Sequence, residues 1–201
     1  MISSIFTAKL QQTKALIEAM STPPTRSYPG DDLIPDANMV YDQTEDLHAS
    51  PSGIWPWLVQ LGKGRAGWYC PAWLEKWFPK GWAASRAINP KWQRLSVGDR
   101  VADYGFSKDD YFDVAIIEPE RALVYRSDRH GCQFAWALLL HEHTDETAPP
   151  RTTVHLRFTG RIAATGAKKW LIIWFGGMMD YISTAPMLAG LKERVERAHG
   201  N

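Results

Sequence analysis

The chain has 201 residues, enough for one domain with extended ends. Its 23 Lys and Arg against 22 Asp and Glu nearly cancel, so no overall field draws it to nucleic acid. Its two cysteines, Cys70 and Cys132, are too few and too far apart for a secreted disulfide framework, and buried thiols in a reducing cytoplasm fit them.

At the N-terminus, Ile5, Leu10, Leu16 and Ile17 recur among polar residues and predict an amphipathic helix over 3–20. This stretch lacks the basic start and continuous apolar core of a signal peptide. The Pro- and Gly-bearing run 21–30 ends it, so residues 1–35 read as an N-terminal helix with an irregular extension and 36–201 as the main domain. The helix is expected to pack on that domain or on a second subunit, as in a homodimer. Residues 38–48 alternate weakly and predict a first strand, with Asp42, Glu45 and Asp46 near a wet surface. Ser50 is placed to cap a helix that starts at Pro51, and Pro56 falls early enough to be tolerated. Gly62, Gly64 and Gly67 break that helix, and a second short one fits 71–78.

From Asp99 the period changes to two, which predicts strands over 99–104, 111–118, 122–126, 132–143 and 152–162. Phe112, Val114 and Ile116 make the drier face of the second of these, so Asp113 either faces solvent from the opposite side or enters the interior as a candidate acid or base. In 132–143, Phe134, Trp136, Leu138 and Leu140 share one side, and Ala135, Ala137, Leu139 and His141 the other. In 152–162, Val154, Leu156, Phe158 and Ile162 are expected to be dry, and Thr153, His155, Arg157 and Arg161 wet, as when a sheet covers a helix on one side only. Residues 168–198 read as helical, with a kink or break before Pro186 and an amphipathic tail carrying Leu188, Leu191 and Val195. The most apolar part, Trp170 to Met179, is about half the ~20 residues a membrane span needs, so no transmembrane segment is expected. Strands that precede a long closing helix, with short helices after the first strand, describe an α+β domain.

Several strings in this order carry a resemblance. They are Ile54-Trp-Pro-Trp-Leu-Val-Gln-Leu-Gly62 followed by Gly64-Arg-Ala-Gly-Trp-Tyr69, then Leu95-Ser-Val-Gly-Asp-Arg100, Ile117-Glu-Pro-Glu-Arg-Ala-Leu-Val124, Phe134-Ala-Trp-Ala137 and Met187-Leu-Ala-Gly-Leu-Lys-Glu-Arg194. Together they resemble an uncharacterised bacterial group of the START/polyketide-cyclase-like, or Bet v 1-like, superfamily, over about 36–199. The resemblance implies a helix-grip fold, in which a curved antiparallel sheet wraps a long C-terminal helix around an internal cavity. Members of the wider superfamily bind lipids, sterols, hormones or polyketides, and some cyclise polyketides. They share no catalytic residue, so the resemblance carries the architecture and leaves the function open.

Arg65, Trp68 and Tyr69 follow a glycine-broken helix end, where such a cavity would open. Trp68 and Tyr69 would line it, and Arg65 would either meet a polar group of the ligand or pair with Asp103 or Asp113. Trp57, Trp136, Trp174 and Met178 complete the expected ligand-binding set. The stripe Trp170, Trp174 and Phe175 is either the core face of the gripped helix or a membrane-edge clamp. Gly62-Lys-Gly-Arg-Ala-Gly67 lacks the order of a phosphate loop, and His141-Glu-His143 lacks the spacing of a zinc hydrolase, so neither a cofactor nor a metal is expected. No G-x-S-x-G nucleophile elbow occurs. The leading expectation is a cavity that binds a small hydrophobic or amphipathic molecule. The alternatives are a cyclase-, dehydratase- or hydrolase-like enzyme using that cavity, and a non-catalytic interaction protein using the N-terminal segment and exposed tryptophans.

Overall fold

Period-two alternation in the second half of the chain, joined to a first strand far upstream, builds one six-stranded antiparallel sheet. The structure is a computed structural model, described for residues 27–79, 81–104, 110–129, 131–145, 147–162 and 184–198. The strands are β1 (Met39–Leu47), β2 (Arg100–Ala102), β3 (Tyr111–Glu118), β4 (Ala122–Arg129), β5 (Cys132–Glu142) and β6 (Thr152–Ile162), in the order β1-β6-β5-β4-β3-β2. Helices α1 (Pro51–Val59) and α2 (Ala72–Glu75) lie between β1 and β2, and helix α3 covers 184–198. This is the helix-grip arrangement: a curved sheet with its first and last strands paired and a closing helix on one face. β2 is shorter than the alternation predicts, and β3 bulges between Val114 and Ile116. The expected helix over 3–20, the Trp170–Met179 run, Trp174 and Met178 lie outside the described residues.

Local chemistry explains the helices. Ser50 Oγ accepts the Gly53 N–H at 3.4 Å, and Pro51 occupies the first turn, where its missing N–H costs nothing. α1 buries Ile54, Trp57 and Leu58, and α3 buries Met187, Leu188, Leu191 and Val195, all against Val154, Leu156 and Leu138 of the sheet's inner face.

α3 is also tied to the loop after α1. A Cβ on Gly190 would lie 2.5 Å from backbone atoms of Cys70, so only glycine lets helix and loop approach this closely. Arg194, 1 % exposed, pairs with Glu75 at 2.6 Å and donates to the carbonyls of Cys70, Ser85 and Ala84. A buried guanidinium needs this many acceptors.

The outer face departs from expectation. His155 and Arg157 of β6, expected to be wet, are buried, as is Thr159 between them and the strand end, while Arg161 is exposed as expected. Their neighbours across β5 are Leu139, Ala137 and Ala135, which form a second apolar cluster with Ala122, Val124 and Ile34. Residues 28–37 lie over it, with Tyr28, Leu33 and Ala37 packed against the cluster. Gly30, at φ +97°, makes the close approach possible: a Cβ there would meet Val124 Cγ1 at 2.7 Å. The charged groups among them are buried with partners, although Arg157 Nη2 has none among the described residues. Arg157 Nε donates to Asp31 Oδ1 at 2.7 Å, and Nη1 donates to both Asp42 oxygens at 2.8 Å. His155 Nε2 lies 2.6 Å from Asp42 Oδ1. The Tyr28 ring meets His155 edge-on at 4.9 Å and lies 5.0 Å from the Arg157 guanidinium.

Candidate ligand-binding site

The inner face concentrates its aromatic side chains where β3, β4 and β5 run side by side. Alternation turns Phe112, Tyr125 and Trp136 to this side, and the loop after α1 lays Trp68 over them. Trp68 meets Trp136 at 5.4 Å, Phe112 at 5.7 Å and Tyr125 at 6.4 Å, each edge to face. Phe112 stacks on Trp136 at 5.8 Å. The chain of rings continues through Phe134 to Phe158 and Tyr41, stacked at 5.3 and 5.0 Å.

Polar atoms sit inside this apolar packing. Trp68 Nε1, Trp136 Nε1, Tyr125 OH and Tyr41 OH are all buried and have no hydrogen-bond partner among the described residues. Burial pushes the Tyr125 hydroxyl pKa far up, against the opposing charge of Arg65. An indole N–H can only donate, so each of the two indoles needs an acceptor oxygen or nitrogen.

The other expected site residues have different surroundings. Tyr69 OH donates to Trp57 O at 2.8 Å and accepts from Gln60 Nε2 at 2.9 Å, so its hydroxyl is already engaged. Its ring packs edge-on against Trp57 at 6.0 Å and lies 4.6 Å from the Arg194 guanidinium. Burial raises its pKa strongly, with Gln60, Arg194 and Arg65 opposing. Arg65 pairs with neither Asp103 nor Asp113. Its Nη2 donates to Val59 O and Trp92 O, both at 2.7 Å, which ties the end of α1 to the 90–92 turn. Asp103 is held by Arg129 at 2.6 Å, and Asp113, about half exposed, by Arg100 at 3.3 Å. Arg65 Nε is a further buried atom with no partner.

Trp68 and Trp136 are therefore brought together, Trp57 and Tyr69 form a neighbouring pair, and Arg65 braces the loop that carries Trp68 and Tyr69. Sequence reasoning missed Tyr125, Phe112 and Tyr41 as members of the cluster. The signal for the first two was in the alternation, which places Phe112 and Tyr125 one strand apart on one face.

Among the described residues no three metal-ligating side chains come together. His143 Nε2 lies 2.7 Å from Thr153 Oγ1, and His141 Nε2 lies 3.4 Å from His155 Nδ1. A separate open depression of about 510 Å³ lies at the β1 edge, lined by Thr44, Glu45, Asp46, His48, Arg151 and Lys192. Its charges are paired with each other, Lys192 with Glu45 and Arg151 with Asp46. It is polar, unlike the aromatic cluster. Among the described residues no helix is long and apolar enough to cross a membrane.

No protein-family model matches the chain, and no curated protein matches it. Solved structures do. A protein from Mesorhizobium loti is 15 % identical, with 79 % of this chain and 97 % of that one covered and a TM-score of 0.43. A START superfamily protein from Mycobacterium smegmatis is 12 % identical, with 79 % and 98 % covered and a TM-score of 0.44. A protein in the dynemicin biosynthetic locus is 16 % identical, with 78 % of this chain but only 47 % of that one covered and a TM-score of 0.39. By its strand order, the helices between β1 and β2, and the closing helix on the inner face, the chain has a helix-grip fold.

Proposed function

We propose that the chain binds a small hydrophobic or amphipathic molecule against the aromatic inner face of its sheet. The observation that carries this reading is the set of buried, unpartnered donors Trp68 Nε1, Trp136 Nε1 and Tyr125 OH within one cluster of rings. A buried donor left unsatisfied costs about 1–3 kcal/mol, and native proteins seldom keep several together without a use for them. Apolar walls with a few polar groups that fix orientation are what a small-molecule site requires. The ligand then has an apolar body and at least one acceptor oxygen. The same reading keeps the protein in the cytoplasm, where the free thiols of Cys70 and Cys132 stay reduced.

Native mass spectrometry of gently purified protein, followed by denaturing extraction, is the direct test. A stoichiometric co-purified compound with an oxygenated apolar skeleton is the expected result. Trp136→Phe sharpens it: the variant keeps an aromatic body and loses the N–H. Its stability should stay within about 1 kcal/mol of the parent, while affinity for the extracted compound falls about tenfold. Recovery of clean protein, together with no binding of that compound class in titrations, would set the reading aside.

A further inference from the structure

Among the described residues the large hydrophobic side chains that remain exposed lie between Trp73 and Val97. Trp73 is 65 %, Trp77 83 % and Trp82 46 % exposed, and Ile88 follows them. Tryptophan is among the costliest residues to leave in water, and such a concentration marks a contact surface. Trp73 and Trp77 are four residues apart across α2 and the turn that prolongs it, where the Trp77 N–H reaches Leu74 O and the Phe78 N–H reaches Glu75 O. Both indoles are thus exposed on one short segment, with the exposed Lys76 between them in sequence. Trp82 stacks on Tyr104 at 4.7 Å, and Lys63 Nζ lies 5.6 Å from the centre of the same ring.

Charge follows the same stretch. Residues 71–94 hold five Lys or Arg against one acid, Glu75, in a chain whose formal net charge is only +1. Glu75 is buried between Arg194 and Arg86, each at 2.6 Å, so it does not offset the exposed lysines. We propose that the Trp73–Trp77–Trp82 surface, with Lys63 and Lys76, docks the protein peripherally on an anionic lipid membrane. Indoles favour the boundary between headgroups and acyl chains, and basic side chains are drawn to anionic headgroups. A second copy fits less well, because two-fold pairing through this patch would set its positive charges against each other.

The test is co-sedimentation of the intact chain with vesicles of phosphatidylcholine alone and of phosphatidylcholine mixed equally with phosphatidylglycerol. Binding is expected to the mixed vesicles and to be about tenfold weaker to the neutral ones or in high salt. Trp73→Ser combined with Trp77→Ser should lower binding to the mixed vesicles about tenfold with an unchanged urea midpoint, because both side chains lie outside the core. Lys76→Glu should weaken binding to the anionic vesicles only. The proposal is overturned if the mixed vesicles fail to bind the protein at low salt, or if the double tryptophan variant binds them as well as the parent does. A concentration-dependent dimer that the double variant abolishes, with no vesicle binding, would assign this face to a second copy instead.

Discussion

The inner face of the sheet and the part of the outer face beneath residues 28–37 are both dry, but they become so by different means. On the outer face the chain supplies its own cover and partners: residues 28–37 lie over Ala135, Ala137 and Val124, and Asp31 and Asp42 neutralise Arg157. On the inner face the rings of Trp68, Trp136 and Tyr125 pack against one another, yet their N–H and O–H groups stay unanswered. Among the described residues the outer face leaves one buried donor unanswered, Arg157 Nη2, whereas the inner face gathers three in a single cluster of rings. It is the gathering of spare donors in one apolar cluster, rather than their presence, that points to a use for them.

The comparison can be broken most forcefully at Arg157, which is 2 % exposed. Arg157→Ala leaves Asp31 and Asp42 uncompensated beneath the extension, and should cost about 3 kcal/mol in urea unfolding. A loss under about 1 kcal/mol would mean that water already reaches the pair and that the outer face is not sealed. A smaller effect is expected at Ala137, which lies between Val124 and Arg157 in register. Ala137→Leu should cost about 1–3 kcal/mol by overpacking, whereas Trp136→Phe, one residue away on the other face, should cost little. Equal losses at both sites would erase the distinction between the faces.

The smallest effect is a pH dependence. Burial alone would raise the Asp42 pKa, but hydrogen bonds from His155 and Arg157 outweigh it and hold the carboxyl below its ordinary 3.8. Its contribution is therefore present above the unfolded value and is lost as pH falls through the lower folded one. Asp42→Asn should flatten the stability profile below pH 3.8 and leave the acid limb otherwise intact. An unchanged acid limb in this variant would show that the Asp42 pair does not couple to folding.

Much of the sheet was legible, because clean alternation in 111–118, 132–143 and 152–162 reflects the pleat directly. The helix at Pro51 was legible from its cap. The outer face was misread at His155 and Arg157, since polar side chains on a strand look solvated when their partners lie more than a hundred residues away. A signal was available in the next strand. Ala135, Ala137 and Leu139 share that face, and an apolar neighbour argues against a wet surface. The partners of Arg65 could not be read, because both are backbone carbonyls, which leave no trace in side-chain identity. Trp68 and Trp136 were identified, but the donors that remain unanswered among the rings emerge only from three-dimensional packing.

The strand order has a consequence for how the chain matures. β1 is made before the other strands, yet among the described residues its one neighbour in the sheet is β6, so Met39 meets Gly160 and Leu47 meets Thr152. At roughly 5–20 residues per second on the ribosome, β1 waits several seconds or more for its partner. During that interval both Met39 and Leu47, and the bare backbone edge between them, are open to wrong pairings. Late closure of this kind predicts slow refolding governed by one long-range step, and makes the nascent β1 segment a natural place for a chaperone to hold the chain.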